Sequence, residues 1–337
     1  MKAAPHIIGI FLFIFLLATK PTFSQQVGTR IDFFGYADNR EYTAPYTTDK
    51  TYFGTILSPQ LYLKLQENHY LYGGVHYKQE FGISPENKSK FDPIAYYNYK
   101  SERIDFALGF MPRYQKLNDM SRIVLSDTLF YDRPNIQGMY FNYQYKGVSQ
   151  SIFIDWLSKQ GAQTKERFIA GISGKYTFGA GYFANQGTLY HNALTSSGDP
   201  EEHIQDNAIL VLRLGVDLSK YTFLDSVSID AGAVVGFDRL RTEYEHSSKG
   251  FISDIHLAYK KFFVHNTLYL GQAINVPNGD SFYHRDKYDR IDLGWMPFQG
   301  KNIDAKLTAS FHVRPGGVDN QQAFTLRYHF DESLWKK

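Results

Sequence analysis

Apolar and polar side chains alternate at every second position over long stretches of this chain, the period of a strand with one greasy and one wet face. From Ile303 to Val313, one face reads Ile303, Ala305, Leu307, Ala309, Phe311 and Val313, and the other Asp304, Lys306, Thr308, Ser310 and His312. Phe324, Leu326, Tyr328 and Phe330 alternate in the same way with Thr325, Arg327 and His329. Between Val227 and Asp238 the one exception is Val234, which falls on the polar face. The clearest of these segments run to about 10 to 12 residues, enough to cross a bilayer core as tilted strands.

Charge fixes the register, because Arg or Lys on a lipid face near the midplane costs about 2 to 4 kcal/mol. Arg213 and Asp217 share the face opposite Leu210, Leu212 and Leu214; Asp254 and His256 lie opposite Phe251, Ile255 and Leu257. Segment Phe262 to Gln272 is noisier, since Asn266 shares the face of Val264 and Leu268.

Connection lengths are an independent test, because bacterial barrels alternate short periplasmic turns with longer outer loops. With Ile31 to Arg40 as the first strand, short turns are expected at 66–69, 101–103, 146–149, near Lys175, and at 219–225, 260–261 and 299–302. Longer polar stretches fall at 41–50, 82–90, 114–134, 158–165, 187–205, 240–249, 275–287 and 314–320. This predicts an all-β fold, an antiparallel transmembrane β-barrel of about 16 strands, with 14 to 18 as the range that strand boundaries read from sequence allow. A soluble β-sandwich or propeller would not need such alternation.

The N-terminus changes the picture by placing the protein outside the cytoplasm. Met1-Lys2, the apolar run from Ile7 to Ala18, and the small residues Thr22 and Ser24 read as a secretory signal over residues 1–24. The barrel is then assigned to 25–330 and a short tail to 331–337. With 0 cysteines there is no disulfide framework and no lipidated cysteine. Aromatic residues make up 17% of the chain, with 26 Tyr and 27 Phe, as aromatic girdles require. The net charge of +2 gives no reason to invoke nucleic acid.

The signal sequence, the aromatic-ended strands and the closing Leu326-Arg327-Tyr328-His329-Phe330 resemble porin-like outer-membrane β-barrel proteins of Gram-negative bacteria. The resemblance is one of pattern and covers the mature chain. It implies a place in the cell outer membrane, contact with outer-membrane lipid, and recognition of the last strand by the barrel-assembly machinery. It also implies a channel for passive passage of small solutes that are hydrophilic, with an oligomer open. Because the chain runs on past Phe330, Trp335 is the alternative terminal aromatic.

Inward parity assigns Asp105, Arg213, Asp217, Asp230, Asp254, His256, Arg290, Asp292, Asp304, Lys306, His312 and Arg327 to the pore lining. Opposite charges on adjacent strands, such as Lys100 and Asp105, would compensate each other, so modest ion selectivity is expected. The stretch from Tyr114 to Pro134 is too apolar to hang in water, with Leu117, Met120, Ile123, Val124 and Leu125 among its residues. It is expected to fold inward and narrow the lumen, with Arg113, Arg122 and Arg133 near the constriction, or else to extend the strands above the membrane.

Signals for catalysis are weak. Ser281 with His284 and Asp280 are too close in sequence for the usual nucleophile and base geometry. Gly171-Ile172-Ser173-Gly174-Lys175 has glycines too closely spaced for a phosphate loop. Asp199, Glu201 and Glu202 read as a solvated acidic loop rather than a cation site. The expectation is therefore a barrel that is not an enzyme and holds no metal or cofactor. The alternatives are a lipid-modifying outer-membrane barrel enzyme and a non-conducting barrel for surface interaction.

Overall fold

The computed structural model describes residues 26–82, 89–199 and 201–336. The expected signal segment 1–24 lies outside them. The first eight strands are β1 (Gln26–Glu41), β2 (Lys50–Gln66), β3 (His69–Glu80), β4 (Lys90–Lys100), β5 (Ile104–Pro112), β6 (Asn135–Tyr145), β7 (Val148–Ser158) and β8 (Arg167–Phe178). Then follow β9 (Gly181–Asn192), β10 (Gln205–Asp217), β11 (Ser226–Leu240), β12 (Tyr244–Tyr259), β13 (Phe262–Gly271), β14 (Lys287–Gln299), β15 (Ile303–Arg314) and β16 (Gly317–Lys336). Each strand pairs antiparallel with its sequence neighbours, and β16 returns to pair with β1 in a closed barrel. Closure satisfies every strand edge, which is what allows a sheet to stand in lipid.

Alternation decides which residues meet lipid. On β10, Leu210, Leu212, Leu214 and Val216 point outward and are exposed, while Ile209 and Val211 point inward and are buried. Trp156 and Phe168 stack on the outer surface at the long-loop end; Tyr176, Phe178, Phe262, Trp295 and Phe298 ring the short-turn end. Ten residues separate Phe168 from Phe178, which on a strand tilted as in membrane barrels spans about 25 Å, the height of an apolar belt.

Most expected turns are where the sequence put them. Tyr145 and Val148 are joined by Lys146 and Gly147, both with positive φ (42° and 83°), the twist a two-residue hairpin needs. Several boundaries differ. The turn expected near Lys175 lies at 179–180, because β8 continues to Phe178. The loops expected at 240–249 and 314–320 shrink to residues 241–243 and 315–316, since their flanking strands rise above the belt. The tail expected at 331–337 is strand through Lys336, and β1 starts at Gln26, so the seam sets Val27 opposite Trp335.

The hydrophobic core sits inside the barrel. The segment between β5 and β6 folds inward through helical turns at Tyr114–Leu117 and Thr128–Asp132. Its Leu117, Ile123, Val124 and Leu125 are buried against Val211, Val234 and Ile252 of the inner wall. Val234, the exception to alternation, is thus part of the surface that receives this segment. Burying each such side chain contributes roughly 1.5–3 kcal/mol. The segment between β13 and β14 folds inward as well, burying Phe282 and Tyr283. Ser126 N donates to Asn278 O (2.7 Å) and Asp280 N to Arg122 O (2.8 Å), so the two inward segments hold each other.

Candidate functional sites in the lumen and on the outer rim

The expected wall residues lie on the inward parity of their strands, but their partners often come from the inward segment rather than the next strand. Asp105 is opposite Lys100 in the ladder, yet Lys116 Nζ reaches it at 2.6 Å. Burial of Lys116 pushes its ammonium below the usual lysine range, against the pull of Asp105. Arg213 bridges Asp254 and Asp230 of the following two strands, and Asp254 also accepts from His265 (3.0 Å). His256 packs on Phe263, Asp217 caps the turn at Ser219 (3.0 Å to its N), and His312 is buried between Tyr288 and Gln321. Asp304, Lys306 and Arg327 line a cavity of about 600 Å³ in the short-turn half.

A smaller cavity of about 290 Å³ lies beyond, lined by Arg40, Thr128 and Asp280, and the two share Asp127 and Arg290. At this neck Arg122 donates to Asp127 (2.7 Å) and lies 3.6 Å from Asp292, which accepts from Arg290 (2.7 Å). Burial opposes the Asp127 charge, but Arg122 and Arg290 outweigh it and hold the carboxyl down at about 2. Arg113 and Arg133 sit elsewhere. Arg113 is fully buried against Asp155 (2.5 Å), and Arg133 reaches Leu157 O.

The weak enzymatic candidates do not assemble. Asp280 accepts from Phe282 N (3.2 Å) and faces Arg290, and no hydrogen bond joins Ser281 to His284. Asp199 and Glu202 accept from Glu201 N and from Thr195, and the described residues hold no group of three metal-ligating side chains. Gly171 to Lys175 lies within β8.

A different set, missed in the sequence, stands on the outer surface. The ladders align Trp156, Phe168, His191, Asp206, Arg239 and Glu245 side by side from β7 to β12. These positions share the parity of the outward Leu189, Leu210 and Val235, so the row faces away from the lumen, level with the aromatic belt. His191 Nδ1 lies 2.6 Å from Asp206 Oδ1. Asp206 Oδ2 accepts from Arg239 (2.6 Å), with Arg241 at 3.4 Å. A carboxylate only accepts, so Nδ1 carries a proton, and Nε2 is the ring nitrogen that can act as the base. Two guanidiniums share the Asp206 carboxylate beside an oriented base, and Glu245 stands opposite Arg239 in the ladder. The loop expected at 187–205 hid His191, because β9 runs on to Asn192.

The fold has solved likenesses. The outer-membrane protein OmpT of Vibrio cholerae lacking one loop is 10% identical, with a TM-score of 0.57 over 91% of this chain and 99% of that one. The trimer form of that OmpT, folded in vitro, gives 9% identity and 0.57 over 91% and 100%. The anion-selective porin of Comamonas acidovorans gives 10% and 0.54 over 91% and 99%. At such identities these share the porin-type barrel alone, and with it the outer membrane as location. No curated protein matches in sequence. A model of the lipid A 3'-O-deacylase-type family matches residues 19–337. That family is one of enzymes, so the expectation of a barrel that is not an enzyme is overturned. This outer-membrane barrel belongs to the lipid A 3'-O-deacylase-type family.

Proposed function

We propose that the barrel hydrolyses an acyl ester of lipid A in the outer leaflet, at the row formed by His191, Asp206, Arg239 and Arg241. The observation that carries this reading is an ionised row on the outward face of the sheet, at the height where a lipid headgroup meets its chains. Charge there is costly unless paired, and here two guanidiniums and one imidazole converge on the Asp206 carboxylate. Arg239 and Arg241 take the anionic headgroup, and Trp156 and Phe168 flank the acyl chains. His191, oriented by Asp206, takes a proton from water as it attacks the ester carbonyl and returns it to the leaving alkoxide. No serine hydrogen-bonds His191 among the described residues, so water is the nucleophile. The test is mass spectrometry of lipid A from cells making the wild-type chain or His191→Ala. Loss of one acyl chain with the first and not the second is expected; equal loss with both removes His191 from the reaction.

Passage of small hydrophilic solutes is the second reading, favoured by two polar cavities that meet at Asp127 and Arg290. In it the inward carboxylates and cations from Asp105 to Arg327 form a charge-balanced wall, Arg122 stands at the neck, and selectivity between ions is modest. Solute flux into liposomes carrying the purified chain tests it, and absence of flux for every size refutes it. Insertion by the barrel-assembly machinery and oligomerisation belong to this same proposed setting.

A further inference from the structure

Three inward strands, distant in sequence, bring together a serine, a histidine and an asparagine. Ser58 on β2 lies with its Oγ 2.7 Å from Nδ1 of His76 on β3. Nε2 of the same ring lies 2.9 Å from Oδ1 of Asn135 on β6. The protons in this chain are determined by its neighbours. Asn135 Nδ2 donates to Pro93 O (2.7 Å), so its oxygen is the atom turned to the imidazole. That oxygen only accepts, so His76 carries its proton on Nε2. The ring is 4% exposed and has no carboxylate within ion-pairing distance among the described residues, so it is neutral and its Nδ1 bears a lone pair. Ser58 must therefore donate. A hydroxyl donating to an imidazole that a third group orients is the nucleophile, base and orienter arrangement of serine hydrolases, with asparagine in the third place.

The surroundings suit a substrate. Ser58 and His76 line a cavity of about 270 Å³ whose wall combines Phe34, Ile56, Tyr114 and Phe130 with Arg30, Asp32, Asp304 and Arg327. At about 30 Å³ for each water-sized group, it holds roughly nine heavy atoms. Arg327 stands at its border with the larger lumen cavity, its guanidinium 3.7 Å from the Phe34 ring centre and 3.4 Å from that of Tyr114. Both faces are covered and no carboxylate pairs with it within 4 Å among the described residues, so its N–H edge is left for an oxyanion, the planar fork that carboxylates accept.

We propose that Ser58, His76 and Asn135 form a second, lumenal hydrolytic site for small esters with an apolar acyl part and an anionic end, the latter taken by Arg327. Ser58 Oγ attacks the ester carbonyl, its proton passing to His76 Nδ1; the alkoxy C–O bond breaks and the alcohol leaves with that proton. Water then repeats the steps on the acyl-serine, releasing a carboxylic acid and restoring Ser58. Asn135 is a positioning residue. The site is separate from the outer rim and does not depend on the lipid A reading.

The test uses the folded full-length barrel in detergent micelles and a small alkyl fluorophosphonate, which loses fluoride to an activated serine. Intact-mass spectrometry and peptide mapping are expected to show one phosphonyl group per chain, on Ser58, and none in Ser58→Ala. Labelling is expected to slow by about 100-fold or more in His76→Gln, as loss of a general base requires, and to be unchanged in His191→Ala. Asn135→Asp keeps the labelling rate, whereas Asn135→Leu lowers it. Arg327→Gln is expected to raise KM for the 4-nitrophenyl hemiester of succinate and not for 4-nitrophenyl butyrate. Circular dichroism confirms that each variant retains its sheet. A folded wild-type chain that takes no phosphonyl group on Ser58, or folded His76→Gln labelled as fast as wild type, overturns the proposal.

Discussion

Asp155 and Asp206 are both carboxylates held by arginine, yet one is closed and the other open. Asp155 faces the lumen and is fully buried; Arg113 takes one oxygen and Gln137 N the other at 2.9 Å. Arg113 in turn donates to Arg133 O and Asn135 O at 2.8 Å each, so little on either partner is left for a ligand. Asp206 sits on the outer surface with three cationic or titratable partners, two of them substantially exposed. A network shut away from both lipid and solvent holds structure, whereas one whose donors stand partly exposed can bind something else.

The largest effect that would sharpen this contrast is on rate. Asp206→Asn leaves His191 without its charged orienter, and lipid A deacylation is expected to fall by about 100-fold or more, while Asp155→Asn leaves the rate of the folded enzyme unchanged. Equal losses in both would break the comparison. Next is stability. Asp155→Ala strands a buried guanidinium and is expected to cost about 3–5 kcal/mol in unfolding free energy, against less than about 1 kcal/mol for Asp206→Ala at the partly exposed rim. Leu125→Ala, which hollows the contact between the inward segment and the inner wall, is expected to cost about 2–5 kcal/mol and to raise solute flux, with no change at the rim. A smaller effect is expected of Arg241→Gln, which removes the more distant guanidinium and should weaken headgroup binding only a few-fold, about 1 kcal/mol or less.

Acidity gives the finest test. Asp127 at the neck is held at about 2, below the ordinary carboxylate value near 4. Its support for the inward segment is therefore fully present above about pH 4 and lost as pH falls through about 2. Flux that begins to rise already at pH 5 would count against that placement.

Much of the barrel was legible because lipid and lumen impose opposite chemistry at alternate residues. The assignment of Arg213, Asp254 and Lys306 to the inward parity follows from that rule, and the strand number from it together with the alternation of short turns and longer loops. Even its failure at Val234 was informative, since an apolar side chain on the wet face needs something dry against it, and Ile123 to Leu125 supply it. The outer row was hidden for a physical reason. Trp156, His191, Asp206 and Arg239 lie on separate strands and become neighbours only through ladder register, which local periodicity does not fix. His191 was further obscured by a strand end that carries polar residues above the membrane and so reads as loop. Ser58, His76 and Asn135 were likewise invisible, for their meeting depends on the curvature of β2, β3 and β6 around the inward segment.

The seam between β1 and β16 joins the two ends of the chain and continues in register from Gly28 opposite Ser333 to Glu41 opposite Asn320. Until those two strands meet, the sheet carries two raw margins, and each is sealed by the other. Loss of residues 331–336 would strip the rungs nearest the periplasm and leave the cylinder able to unzip from one end, turning a permanent wall into a gate.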